Sequence, residues 1–269
     1  MKLGIIYHDD YLKHNLGEGH PESPERLALT VKALKEKEIW NDPNVTLIAP
    51  PSATEEDLLK VHDAAFVTLI KRYSEIGGSL TLDTPVPIGT FEIAKLAAGG
   101  AIVAGEAVIK GEVDASYALI RPGGHHAGIF NSSGFCYFNE VAVMIERLRK
   151  NYGLKKVLIF DYDVHHGNGT QEIFYENPNV LYISTHQDPN TLYPGTGFIW
   201  EVGLGPGEGF TINIPLPPRT GHRAYMYAFE NIVVPIVREF NPELIVGYVG
   251  ADAHFLDPIA NLDLSLNTY

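Results

Sequence analysis

In Val157-Leu-Ile-Phe160-Asp161-Tyr-Asp163-Val-His165-His166-Gly-Asn168-Gly, a short apolar run without polar alternation gives way at once to carboxylates and imidazoles. Such a run predicts a strand covered on both faces. The polar cluster at its carboxyl end predicts a site of chemistry, because ligand sites in open α/β sheets gather beyond the carboxyl ends of strands. Similar runs recur at 3–7, 45–48, 117–120, 180–184, 210–214 and 244–249, each bounded by turn residues. Helical spacing separates them. Leu27, Val31 and Leu34 mark a helix over 24–37 with Ser23 as N-cap, Thr54-Glu-Glu-Asp57 opens another, and 66–76, 91–109 and 139–150 continue the pattern. A long helix over 223–240 should be kinked or split by Pro235. Strands alternating with helices predict one α/β domain over 1–269, a mostly parallel central sheet with helices on both faces. The stretch 191–209, rich in Pro and Gly, reads as a long loop within it.

Charge narrows the partners. Asp and Glu number 33 against 20 Lys and Arg, a formal net charge of -13, which repels phosphate backbones and anionic lipid and favours a cationic substrate. No direct nucleic-acid or membrane binding is expected. A single cysteine, Cys136, excludes an internal disulfide. Met1 leads directly into a strand too short for a signal core, and the apolar stretch 93–109 is broken by Lys95 and Glu106, so a soluble cytoplasmic protein is expected. Nothing in the sequence sets an oligomeric state.

Three strand ends carry the candidate chemistry. Arg121-Pro-Gly-Gly-His125-His126 follows the run at 117–120, the Asp161 to Gly169 cluster follows 157–160, and Gly250-Ala-Asp252-Ala-His254 follows 244–249. One Asp or His at a strand end reads equally as a cap, a turn or a surface group. Three clusters at three such ends point to a site. Continuing the strand period of two places Asp161, Asp163 and His165 on one side, where a divalent cation would relieve the crowding of like charges. A catalytic zinc takes three protein ligands and keeps one open position. Asp163 and His165 supply two, and Asp252 is the natural third. Asp161 then serves the surroundings of that metal or a neighbouring monovalent cation. His125 and His126 follow a Gly-Gly turn and read either as surface histidines or as proton carriers; in the second case Asp161 and Asn168 are the candidates to orient them.

Taken together, Arg121-Pro-Gly-Gly-His-His-Ala127, Gly134-Phe-Cys-Tyr-Phe-Asn139, Asp161 through Gln171, Tyr193-Pro-Gly-Thr-Gly197, Gly250-Ala-Asp252 with Asp257-Pro258, and His20-Pro-Glu-Ser-Pro-Glu-Arg26 resemble the zinc-dependent histone deacetylase superfamily. That group includes acetylpolyamine amidohydrolases and acetoin-utilisation proteins, and Asn168 followed by Gly-Thr-Gln is more similar to its class II branch. The resemblance spans nearly all of the chain. It implies an arginase/deacetylase-like fold and one Zn²⁺ per chain on Asp163, His165 and Asp252. It implies His126 as general base, His125 as its paired histidine, and Asp161 and Asn168 as their hydrogen-bonding partners. It further implies a K⁺ site at Asp161, Asp163, His165 and Ser184, largely through backbone carbonyls. Gly134, Phe135 and Tyr193 match the walls of an acyl-lysine tunnel, and Asp83 matches a rim aspartate that contacts substrate backbone. The implied reaction is hydrolysis of an acylated lysine or related amine by water activated at zinc.

In that family a tyrosine hydroxyl, in a Gly-Gly-Tyr type segment after a later strand, stabilises the tetrahedral oxyanion. These 269 residues hold no such segment, and Tyr269 stands too early and in a different context. The expectation is therefore a domain incomplete at its C-terminal end relative to the family, a longer gene product, and weak or no turnover for residues 1–269 alone. Three other readings stay open: an acetylpolyamine or small-molecule amide hydrolase, an acyl-lysine-binding module without cleavage, and an arginase-like hydrolase with two manganese ions. An apolar Ile259 after Asp257-Pro258 disfavours one acidic gate for polyamines, while Glu18 and Glu22 could supply another.

Overall fold

The structure is a computed structural model and describes residues 1–269. Two compact units make up the chain, Met1–Gly153 and Leu154–Tyr269. Both are of the α/β class, with parallel sheets flanked by helices, as the alternation of apolar runs and helical spacing predicts.

In the first unit, β1 (Leu3–Ile6) is followed by α1 (Pro24–Glu36), β2 (Val45–Ile48), α2 (Glu55–Leu58) and α3 (Ala64–Ile76). A hairpin of β3 (Gly78–Thr81) and β4 (Thr84–Val86) leads to α4 (Thr90–Ile109), β5 (Ala115–Ala118) and α5 (Glu140–Tyr152). The parallel sheet has the order β2-β1-β5. Ser23 occupies the cap position of α1 without a side-chain cap bond, because its hydroxyl serves Glu25 instead. Thr54 and Asp57 close a reciprocal capping box on α2, and Asp63 and Asn139 cap α3 and α5. The helix α4 is apolar around most of its circumference and packs on α5; a β-carbon at Gly105 would lie 2.7 Å from both Met144 and Leu148. Trp40 meets the ring of Tyr7 edge-on at 5.6 Å under the ammonium of Lys35.

One strand lies earlier than the sequence predicts. The run at 117–120 enters the ladder as Ala115–Ala118, because β1 ends at Ile6 and Ile6 pairs with Ala118. Leu119 makes the last bond to β1, its N–H donating to the Ile6 carbonyl at 2.9 Å, and Leu119 and Ile120 pack in the core with Ile5, Tyr11 and Leu27.

The second unit contains β6 (Val157–Asp161), α6 (Asn168–Phe174), β7 (Val180–Gln187), β8 (Thr211–Leu216), α7 (His222–Ala228), α8 (Val234–Phe240) and β9 (Leu244–Tyr248). All its strand pairs are parallel, in the order β8-β7-β6-β9. Every residue of β7 is buried, as its unbroken apolar start predicts. The predicted long helix is split as expected: a π turn over Phe229–Val233 separates α7 from α8, and Pro235, which has no N–H to donate, stands in the first turn of α8. The 191–209 stretch is a loop apart from a 3-10 turn at Gly205–Gly207, and in it Trp200 lies flat against Phe198, with centroids 4.5 Å apart. No helix is long and apolar enough to cross a membrane.

Candidate metal centre

The strand β6 ends on Asp161, which stands opposite Ser184 of β7 in the register; both are fully buried. The Tyr182 hydroxyl donates to Asp161 Oδ2 at 3.1 Å, and the backbone N–H of Asp163 reaches Oδ1 at 3.2 Å. Beyond Asp161 the strand period does not continue, which corrects the placement of Asp161, Asp163 and His165 on one face. Asp163 Oδ1 accepts the backbone N–H of His165 at 2.9 Å, and this side-chain turn bends the chain out of the ladder. Asp161 accepts from the Tyr182 hydroxyl and the Asp163 backbone, while Asp163 and His165 turn toward Asp252.

His165 Nδ1 lies 3.0 Å from Asp163 Oδ1 and 3.0 Å from Asp252 Oδ2. The other oxygen of Asp252 accepts the backbone N–H of Val164 at 3.0 Å, which orients the carboxylate. The three donor atoms lie within 4.8 Å of one another. Burial, and then the charge of Asp163, push the Asp252 carboxyl above its usual range. Burial would lower His165, but hydrogen bonds and charge from Asp163 and Asp252 outweigh it and raise the imidazole well above its usual value. Two carboxylates facing one nitrogen therefore hold a proton between them unless a cation takes its place.

These residues fit zinc. Two carboxylate oxygens and one imidazole nitrogen converge, the number and type of protein ligands a catalytic zinc uses. Space for the set depends on Gly250, where a β-carbon would lie 2.3 Å from Asp163 Oδ2. Tyr193 stands beside the group, its ring centroid 6.3 Å from that of His165.

The loop that carries Tyr193 is tied down by a polar network. Glu201 accepts the backbone N–H groups of Gly197 and Phe198 at 3.0 Å and the Gln171 amide at 2.6 Å. Gln171 Oε1 accepts from Asn213 Nδ2 at 2.7 Å and lies 3.0 Å from His166 Nε2. His186 Nε2 donates to the Gly197 carbonyl at 2.9 Å, which leaves its Nδ1 to accept the Ser184 hydroxyl at 2.8 Å. Gly197 has φ 91°, and a β-carbon there would meet His186 Nε2 at 2.5 Å, so only glycine suits this approach.

In the first unit, the His125 and His126 rings are buried with centroids 4.0 Å apart. Arg121 anchors the start of their segment: it pairs with both oxygens of buried Glu22, and its Nη1 donates to the carbonyls of Tyr11 and His14 at 2.6 Å each. A β-carbon at Gly134, φ 57°, would lie 2.3 Å from the His126 ring, so glycine lets the chain lie against the imidazole. Phe135 N–H donates to Thr84 Oγ1 at 3.1 Å, and the Phe135 ring meets His20 edge-on at 4.5 Å. Asp83 is exposed at the tip of the β3–β4 hairpin, where it accepts the hydroxyls of Thr81 and Thr84. Asn168 begins α6.

A histone deacetylase domain model matches residues 20–269. The chain belongs to the histone deacetylase family. It is 47% identical over 269 residues to a "Probable deacetylase" of Archaeoglobus fulgidus, a match covering 100% of this chain and 74% of that protein. It is 42% identical over 257 residues to the "Histone deacetylase-like amidohydrolase" of Pseudomonas aeruginosa, covering 93% of this chain and 66% of the relative. Among solved structures it is similar to the "HDA15 HD domain", with TM-score 0.94 and 35% identity over 100% of this chain and 77% of that one. Asp163, His165 and Asp252, which the sequence reading singles out, are brought together in the structure, with ligand atoms within 4.8 Å of one another.

Other residues give no local signal. Glu201 and Gln171 are 30 positions apart, and His62, which bonds the backbone of Asn139, is 77 positions from it. Gln171 falls inside a motif, yet nothing in its spacing announces Glu201 as its partner.

Proposed function

We propose that this member of the histone deacetylase family is a zinc-dependent amidohydrolase that removes acetyl or other short acyl groups from lysine side chains. The convergence of Asp163, His165 and Asp252 on one point carries the reading, since a half-buried pair of carboxylates around one imidazole nitrogen suits a divalent cation better than a proton. When bound, zinc supplies Lewis acidity toward an acyl carbonyl and acidifies water. His126 takes a proton from the attacking water at an imidazole nitrogen, and His125 shares that charge. A histidine then returns a proton to the departing amine. Asp161 and Asn168 orient the pair, Gly134, Phe135 and Tyr193 flank the acyl chain, and Asp83 holds substrate backbone. Backbone and side-chain oxygens around Asp161, Asp163, His165 and Ser184 hold K⁺ in the same reading. The net charge of -13 draws cationic substrates by field alone.

Zinc quantification combined with acetyl-lysine peptides and N-acetylpolyamines tests the proposal. One zinc per chain with acetate release from the peptides is expected. Preference for the polyamines would move the substrate class, and two manganese ions per chain or full activity without zinc would overturn the mechanism. Tight peptide binding without acetate release would support the binding-module reading instead.

A further inference from the structure

His62 is the residue whose contacts the proposed chemistry does not use. It lies just before α3, 2% exposed, in an aromatic nest with Phe66 and Phe138 at centroid distances of 5.7 and 5.4 Å. Its two nitrogens both reach backbone. Nδ1 lies 2.8 Å from the carbonyl of Gly128, which can only accept, and Nε2 lies 2.9 Å from the N–H of Asn139, which can only donate. One neutral tautomer, with hydrogen on Nδ1, satisfies both. Next door, the Asp63 N–H donates to the Ile129 carbonyl at 2.9 Å.

The two backbone groups that His62 joins are the ends of one loop. Gly128 follows His125-His126-Ala127, and Asn139 caps α5 through a bond from the Ala142 N–H at 3.0 Å while its amide donates to the Ala127 carbonyl at 3.2 Å. Between them lie Gly134, which abuts the His126 ring, and Phe135, which meets His20. A side chain that closes this loop at its base therefore fixes how the loop folds back onto His126.

We infer that His62 is a positioning residue: by clasping the Gly128 carbonyl to the Asn139 N–H it holds Gly134 against His126 and sets the place of the Phe135 ring. The inference rests on the deacetylase reading for its consequence in turnover, but the clasp itself can be read without turnover.

The test compares wild type with His62→Phe, which keeps a ring in the nest and removes both polar contacts. His62→Gln and His62→Asn are compared as well, since each amide can restore one of the two. On the zinc-loaded full chain, amide exchange is measured along the sequence together with kcat and KM for an acetyl-lysine peptide. Expected for His62→Phe is a rise in exchange confined to 128–138, zinc still bound at one per chain, and a fall in kcat on the order of 10²-fold, the scale of a small misplacement of a reacting group. The two amide variants should recover part of both losses. Should His62→Phe fail to fold, the amide variants carry the same comparison. Unchanged exchange over 128–138 would overturn the clasp. Raised exchange with kcat/KM within twofold of wild type would overturn its positioning role, as would exchange raised evenly along the whole chain. If wild type itself releases no acetate, the deacetylase reading fails, and the exchange profile still decides the clasp.

Discussion

Gly250 makes room for Asp163: a β-carbon at position 250 would lie 2.3 Å from the carboxylate Oδ2. The methyl of Gly250→Ala must displace either the backbone or the carboxylate. Zinc affinity should fall about 10–100-fold, the usual cost of disturbing a ligand's support. Competition titration against a chromogenic chelator measures it; affinity equal to wild type would show that Asp163 does not depend on this space.

Zinc uptake should release protons and weaken as pH falls. Without metal, His165 is raised by Asp163 and Asp252, and Asp252 is raised by burial and by Asp163, so the metal-free group holds protons that a cation must expel. Calorimetric binding in buffers of different ionisation enthalpy reads the number released. A value of zero near pH 7 would contradict the shared-proton arrangement.

Glu201→Ala should loosen the loop that carries Tyr193. It removes the acceptor of the Gly197 and Phe198 N–H groups and of the Gln171 amide. Stranding such donors costs about 1–3 kcal/mol. Amide exchange over 193–200 should accelerate about tenfold or more while β7 stays protected, and KM for an acylated peptide should rise.

Arg121→Met should cost about 3–5 kcal/mol of stability, because it leaves the Glu22 carboxylate buried without its partner. The double variant Arg121→Met with Glu22→Met should recover much of that loss. Urea titrations of the three proteins give the coupling, and additive losses would show that the two side chains do not act as a pair.

Acid should destabilise the fold through His62 and His14. Burial pushes His62 down to about 4, and burial with the Arg121 and His20 charges pushes His14 down to about 3, from 6.5 for each when unfolded. Between those values the unfolded chain binds more protons. The contribution is therefore complete above pH 6.5 and is lost as pH falls, with a slope of at most about 2.7 kcal/mol per pH unit for two protons. His62→Gln should lower the slope by about one proton's share. Stability measured from pH 4 to 7 shows whether it does.

Much of this fold is legible in sequence because its strands are short apolar runs bounded by turn residues, and the central ones are buried on both faces. β6 and β7 read as apolar runs since neither face meets water, β9 reads as one although Ile245 is exposed, and Pro235 announces the break in its helix by chemistry alone. The β3–β4 hairpin escapes the same reading because β3 is mostly exposed and β4 is only three residues long with Pro85 at its centre. The helix α6 escapes because Gly169 and Thr170 are poor helix formers in so short a segment. At the site, Asp163, His165 and Asp252 can be found because each follows a strand. Their convergence, though, depends on a side-chain turn at Asp163 that strand periodicity does not describe. His62 and Glu201 are beyond such reading, since their partners are set by tertiary folding rather than by any local repeat.

The two tryptophans give this protein an internal pair of lamps. Trp40 falls in the first unit and Trp200 in the second, one indole for each. Their surroundings differ, since Trp40 sits between a phenol edge and an ammonium while Trp200 is 68% exposed on a phenylalanine face. Changing either to phenylalanine leaves emission from a single half of the chain. Melting of the two halves can then be followed separately by fluorescence, with no dye attached.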